Sequence, residues 1–99
     1  MLVLISGLNK ALESRIKLGI MSALAVNDQL DFNSLKELLD VTDGNLATHL
    51  KSLEKEAFID VQKSFVGRKP NTQYFMTQAG KKAFGDHLDA LERLIKSQK

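Results

Sequence analysis

Leu8, Leu12, Ile16, Ile20 and Leu24 recur every four residues, with Met21 and Ala25 beside them. An apolar side chain at every third or fourth position is one face of a helix. The spacing therefore predicts an amphipathic helix over 8–26, closed by the turn formers Asn27 and Asp28. Its first turns are expected to part from the rest at Glu13-Ser14. Leu30-Asp31-Phe32 is long enough only for an edge strand, with Phe32 as its core anchor. Ser34 and Glu37 then fit the capping box S-x-x-E, and Leu35, Leu38 and Leu39 give an inward face to a second helix over 34–40. Asp40-Val41 breaks that helix. Thr42 caps a third over 43–56, where Leu46, Leu50, Leu53 and Ala57 make one apolar stripe. Two short helices joined this closely form either a helix-turn-helix or an ordinary helical hairpin, and the helices alone leave both open.

After Phe58 the period changes. Ile59, Val61, Lys63 and Phe65 alternate with Asp60, Gln62 and Ser64, which is the pattern of a strand. Gly67 to Asn71 reads as a turn cluster, and Thr72 to Met76 as a returning strand with Tyr74 and Met76 on one face. The hairpin is expected over 58–76, with Pro70 in the turn or at the start of the second strand because it has no N–H to donate. Thr77 caps a last helix over 78–96, along which Phe84, Leu88, Leu91 and Ile95 form a stripe. That stripe is longer than a small domain needs. It packs either on the first helix of the same chain or across a seam between two copies. The seam is the favoured reading, and it would be built from Leu2, Leu4, Leu8, Leu12, Phe84, Leu88, Leu91 and Ile95. The order of elements is that of a mainly α domain with a small β-hairpin: a single winged helix-turn-helix over 1–99, with an extra C-terminal helix for dimerisation.

Composition narrows the function classes. With 43% hydrophobic and 26% charged residues in a chain of 99, one folded domain is expected, without space for a separate catalytic or sensing domain. There is no cysteine, which removes disulfides, thiol nucleophiles and thiolate metal sites and fits a reducing cytoplasm. The apolar opening MLVLI is too short to span a bilayer, so no membrane association is expected. Net charge is only +2, but it is unevenly spread. Residues 1–43 carry four basic and six acidic side chains, whereas residues 44–82 carry seven basic and three acidic. The positive excess thus falls on the third helix and the hairpin.

Those two elements hold the candidate chemistry. Asn45, Thr48, His49 and Ser52 project between the leucines of the third helix and suit hydrogen bonding to base edges, since N-terminal residues of such a helix reach furthest into a groove. Gly44 lets backbone N–H groups approach a phosphate. Ser34, Lys36 and Lys51 are further phosphate ligands, and Arg68 and Lys69 place two charges at the hairpin tip. Asp43 is assigned to capping and to the helix dipole. The bland alternative for each of these is a solvated polar side chain. His49 and His87 are the only histidines and lie 38 positions apart. Asp86, His87 and Asp89 face different ways on their helix, so no metal is expected, and His87 reads as solvated or at an interface. No phosphate loop, carboxylate pair or nucleophile–base arrangement can be named, so neither catalysis nor a cofactor is expected.

Arg15-Ile16-Lys17-Leu18 through Leu24, Asp31 through Lys36, Thr42 through Leu50, Leu53-Glu54, Gly67 through Thr72, Tyr74, Met76-Thr77 and Gly80 form an ordered set. The set resembles the small stand-alone winged-helix transcriptional regulators related to the MarR and ArsR families. The resemblance implies a cytoplasmic homodimer that binds a pseudo-palindromic operator in double-stranded DNA. The third helix would lie in the major groove and the wing on the flanking backbone; any small-molecule effector is unspecified. Two positions depart from the family pattern. Ala57 stands where glycine is usual, and Glu13-Ser14 replaces a common His-Pro. The rival reading is a winged helix used as a protein–protein module that does not read DNA.

Overall fold

The computed structural model describes residues 8–97, so Leu2 and Leu4 of the expected seam lie outside the described residues. The first helical segment parts at Glu13-Ser14, as expected, so it is two pieces and not one continuous helix over 8–26. A single 3-10 turn spans Lys10–Leu12, and helix α1 spans Arg15–Ala25. Both starts are capped locally. The Asn9 side chain accepts from the Ala11 N–H at 2.9 Å, and Ser14 takes an extended conformation from which its hydroxyl accepts from Lys17 at 3.4 Å. Two N-caps five residues apart cannot belong to one helix.

Strand β1 is only Leu30–Asp31, and helix α2 follows over Phe32–Leu39. The cap of α2 is Asp31, not Ser34: its carboxylate accepts from the Ser34 N–H at 2.7 Å. The capping box is therefore unused and the helix starts two residues early, which brings Phe32 onto the core. Leu38 does not face inward but is 61% exposed. Phe32 and Leu39 lie to one side of Leu35 around the helix and Leu38 roughly 60° to the other, and the core is on the Phe32 side. Asp40 ends α2 in the left-handed region at φ 51°.

Helix α3, Asp43–Lys55, buries Leu46, Leu50 and Leu53, and Thr42 accepts from Asn45 N–H at 3.2 Å as its cap. Ala57 is not part of that stripe. It is exposed and left-handed, with φ 61°, and the chain turns there into the sheet.

Strands β2, Ile59–Val66, and β3, Lys69–Met76, pair antiparallel from Ile59 opposite Met76 to Val66 opposite Lys69. β1 lies on the other edge of β3, giving the order β1-β3-β2. The turn is thus only Gly67-Arg68, shorter than the expected cluster, and Gly67 supplies the positive φ that a two-residue hairpin loop demands. Pro70 fits inside β3 because the alternating ladder turns its missing N–H away from β2. β1 reaches only Tyr74 and Gln73 on that side.

Helix α4, Gln78–Lys96, is capped by Thr77, whose hydroxyl accepts from Gly80 N–H at 2.9 Å and donates to the Ala57 carbonyl at 2.6 Å. A side chain at Gly80 would collide with the Phe58 carbonyl, so α4 starts hard against the Ala57-Phe58 corner. Leu12, Ile20, Met21, Leu24, Leu35 and the α3 leucines pack with Ile59 and Met76 into one core. Leu12 is therefore buried within its own chain, with 1% exposure and no surface to offer a second copy.

Candidate nucleic-acid interface

The polar side of α3 faces solvent. Gly44, Asn45, Thr48 and Lys51 are exposed, and His49 and Ser52 are half-buried. Nothing lies within 4 Å of where a side chain on Gly44 would stand, so the backbone of the first turn is open to a ligand. Thr42 takes the Asn45 N–H, and the first-turn N–H groups and dipole favour an anion there. His49 Nδ1 donates to the Asn45 carbonyl at 2.7 Å. That bond fixes the ring, and in the neutral imidazole it leaves Nε2 as an outward acceptor.

Lys36 and Asp43 meet at 2.7 Å across the α2–α3 turn, with side chains 43% and 71% exposed. The pair joins the two helices of the motif, and at such exposure it is worth at most about 1 kcal/mol. Lys36 therefore has a carboxylate beside it, an association that spacing in the sequence did not suggest. Ser34 sits half-buried in the first turn of α2, its N–H held by Asp31.

The hairpin lies beside α3 rather than behind it. A groove runs between them, lined by Thr48, Lys51, Ser52 and Lys55 from α3 and by Lys63 and Tyr74 from the hairpin. Lys55, Lys63 and Tyr74 were not among the residues expected from sequence. Strand alternation puts Lys63 on the same face as Val61 and Tyr74, but only the packing of α3 over that face makes it a groove residue. Burial, followed by the nearby Glu54 carboxylate, raises the Tyr74 pKa above its usual 10.0. The phenol is therefore protonated at neutral pH and can donate. Arg68 and Lys69 are exposed at the far end of the hairpin, beyond Lys63. Glu54 is the acidic side chain among those lining the groove.

His87 lies away from this face. It is 4% exposed, and its Nδ1 accepts from the Asn9 N–H at 2.9 Å, so it is neither solvated nor open to a partner. Its neighbour Asp86 pairs with Lys82 at 3.1 Å. Of the expected seam, Leu88 and Ile95 are 45% and 64% exposed, and Leu8, Phe84 and Leu91 are half-buried. The face that α4 turns inward runs through Gly80, His87 and Ala90, beside the predicted stripe.

The profile of the winged helix DNA-binding domain matches residues 16–95, from α1 almost to the end of α4. The chain belongs to the winged helix DNA-binding domain family. An uncharacterised protein of Methanocaldococcus jannaschii is 34% identical to this winged-helix chain over 88 residues, covering 89% of this chain and 96% of the relative. A solved transcriptional regulator homologue from Pyrococcus horikoshii superposes with a TM-score of 0.84 at 28% identity, covering 90% of this chain and 88% of that one. A MarR-family transcriptional regulator from Silicibacter pomeroyi has the same fold with a TM-score of 0.70 at 16% identity, over 94% of this chain and 64% of that one. The fold described above is thus that of a winged helix DNA-binding domain, and solved transcriptional regulators, one of the MarR family among them, share it. Among the described residues, no helix is long and apolar enough to cross a membrane.

Proposed function

We propose that the chain is a sequence-specific transcriptional regulator, not an enzyme, that binds a pseudo-palindromic operator in double-stranded DNA as a homodimer in the cytoplasm. A single winged-helix unit reads each half-site. Asn45, Thr48, His49 and Ser52 address base edges in the major groove. The backbone at Gly44 and the side chains of Ser34, Lys36 and Lys51 hold one strand's phosphates. Lys55 and Lys63 hold the phosphates that pass through the groove, and Arg68 and Lys69 hold the flanking backbone. Phe84, Leu88, Leu91 and Ile95, with Leu8, supply the seam between copies.

One observation carries the reading. The polar side of α3 and the basic face of the hairpin meet in a shared groove in which Lys51, Lys55 and Lys63 outnumber Glu54. A surface of that sign and shape fits a phosphate backbone followed by a base edge. The test is selection of bound fragments from a random duplex pool, followed by titration of affinity against salt. The expected outcome is one symmetric motif with half-sites about one helical turn apart and a steep fall in affinity with salt. Replacing Arg68 and Lys69 together with alanine should lower affinity for all sequences alike and reduce the salt slope by roughly 3.6, two phosphate contacts in each of two copies. Absence of duplex binding at low salt would leave the protein–protein module as the better reading.

A further inference from the structure

Phe65 and Val66 are 73% and 67% exposed at the end of β2, beside the Gly67-Arg68 turn. Cross-strand partners share a face, so Phe65 lies with its partner Pro70 on the face that carries Lys63 and Tyr74, and Val66 lies on the other. That first face lines the groove against α3. Phe65 stands two strand positions, about 7 Å, beyond Lys63 toward the tip. The wing surface on the α3 side therefore ends in an exposed aromatic ring opposite a proline, with Arg68 and Lys69 around the bend.

We propose that Phe65, backed by Pro70, is an apolar wedge that enters the minor groove beside the half-site read by α3 and bends the duplex there. The inference rests on the DNA-binding reading and adds a specificity-determining residue to it. Charge complementarity selects the occupant. No acidic residue occurs in the sequence between Asp60 and Asp86, while Lys63 shares the face of the ring and Arg68 and Lys69 follow at the turn beside it. Their positive charge draws the tip onto a phosphate-lined groove, where a side chain such as Phe can press between base steps and kink the helix. The tip is also built for insertion. A two-residue turn keeps it narrow, pairing continues to Val66 opposite Lys69, and Pro70 fixes its own φ. Little ordering is left to be done on binding. Because pyrimidine–purine steps unstack most readily, the wedge makes TA and CA steps preferred at a flanking position that no hydrogen bond reads.

The experiment runs wild type and Phe65→Ala through the same selection from random duplex DNA. End-to-end energy transfer is then measured on the doubly labelled duplex that wild type recovers. Phe65→Ala is expected to recover the same half-site core without the flanking TA or CA enrichment and to leave the duplex straight. It should bind a duplex bearing one half-site roughly ten- to hundredfold more weakly, the worth of one phenyl ring taken out of water. Phe65→Leu, still a wedge, should keep most of the bend, and Val66→Ala, on the opposite face, should behave as wild type. If Phe65→Ala bends DNA and selects flanks as wild type does, the wedge is overturned while the DNA-binding reading stands. A fall in sedimentation mass on Phe65→Ala also overturns it, because the ring would then be covered by another copy of the chain. If wild type recovers no motif and shows no salt-dependent binding, the underlying reading fails and the wedge with it.

Discussion

At Ala57 the chain leaves α3 in a conformation that L-residues other than asparagine and aspartate rarely adopt. The Ala57 N–H donates to the Glu54 carbonyl at 2.9 Å and the Phe58 N–H to the Leu53 carbonyl at 3.0 Å, the paired bonds of a left-handed helix terminus. Those bonds satisfy two carbonyls of the last turn, and Thr77 fastens the corner through the Ala57 carbonyl. The left-handed twist itself costs an alanine on the order of 1–2 kcal/mol, because Cβ crowds the following carbonyl. Glycine would remove that cost but adds freedom to the unfolded chain, which offsets part of the gain. Ala57→Gly is therefore expected to raise stability by about 0.5–1 kcal/mol, seen as a higher urea midpoint with an unchanged slope. A lower midpoint would show that the corner is not left-handed in solution. Because the same corner sets the angle between α3 and the wing, this variant should keep its DNA affinity.

Between elements, a hydrogen bond from Asn9 to His87, 78 positions apart, ties the segment before α1 to the middle of α4. The imidazole is almost fully buried and accepts from that N–H. His87→Ala removes the ring and the acceptor and should cost about 2–4 kcal/mol, through the cavity and the unsatisfied donor together. The Asn9 amide should lose its protection from hydrogen exchange, and His87→Gln, whose side-chain oxygen can accept, should recover part of the loss. Unchanged stability in His87→Ala would mean that the segment does not rest on α4. His87 also shows where the sequence stops being legible. Its helix was evident from the leucine spacing, but which flank of that helix turns inward depends on what packs there, and a buried histidine has no periodic signature. The start of α2 was misplaced for a similar reason. Ser34 fits a capping box, but Asp31, already positioned at the end of β1, reaches the same N–H first. The polar face of α3 was readable because solvent exposure on a helix follows its period. Lys55, Lys63 and Tyr74 were not readable, since only the docking of α3 over one face of the hairpin brings them together.

As a whole the molecule is long, about 59 × 26 × 21 Å, and the reading face proposed above offers one short helix and one wing tip. A single copy can therefore contact only one half-site, with few base edges and few phosphates. Two linked copies bind with the second contact made at high effective concentration, which multiplies affinity without any new interaction. Leu88 and Ile95 are the large apolar side chains of α4 left exposed, in helical register seven residues apart, where a second copy would cover them. A lysine at both positions places charge in that seam while leaving Gly80, His87 and Ala90, the residues α4 buries at home, untouched. Leu88→Lys with Ile95→Lys is thus expected to keep the thermal transition within a few degrees of wild type but to halve the mass in sedimentation. Affinity for a duplex bearing both half-sites should fall at least about a hundredfold, while affinity for a duplex bearing one half-site stays the same. The comparison of the two duplexes separates loss of pairing from damage to the reading face, because damage would weaken both. A wild-type protein that sediments as one chain on the two-site duplex would refute the seam and leave Leu88 and Ile95 as solvated side chains.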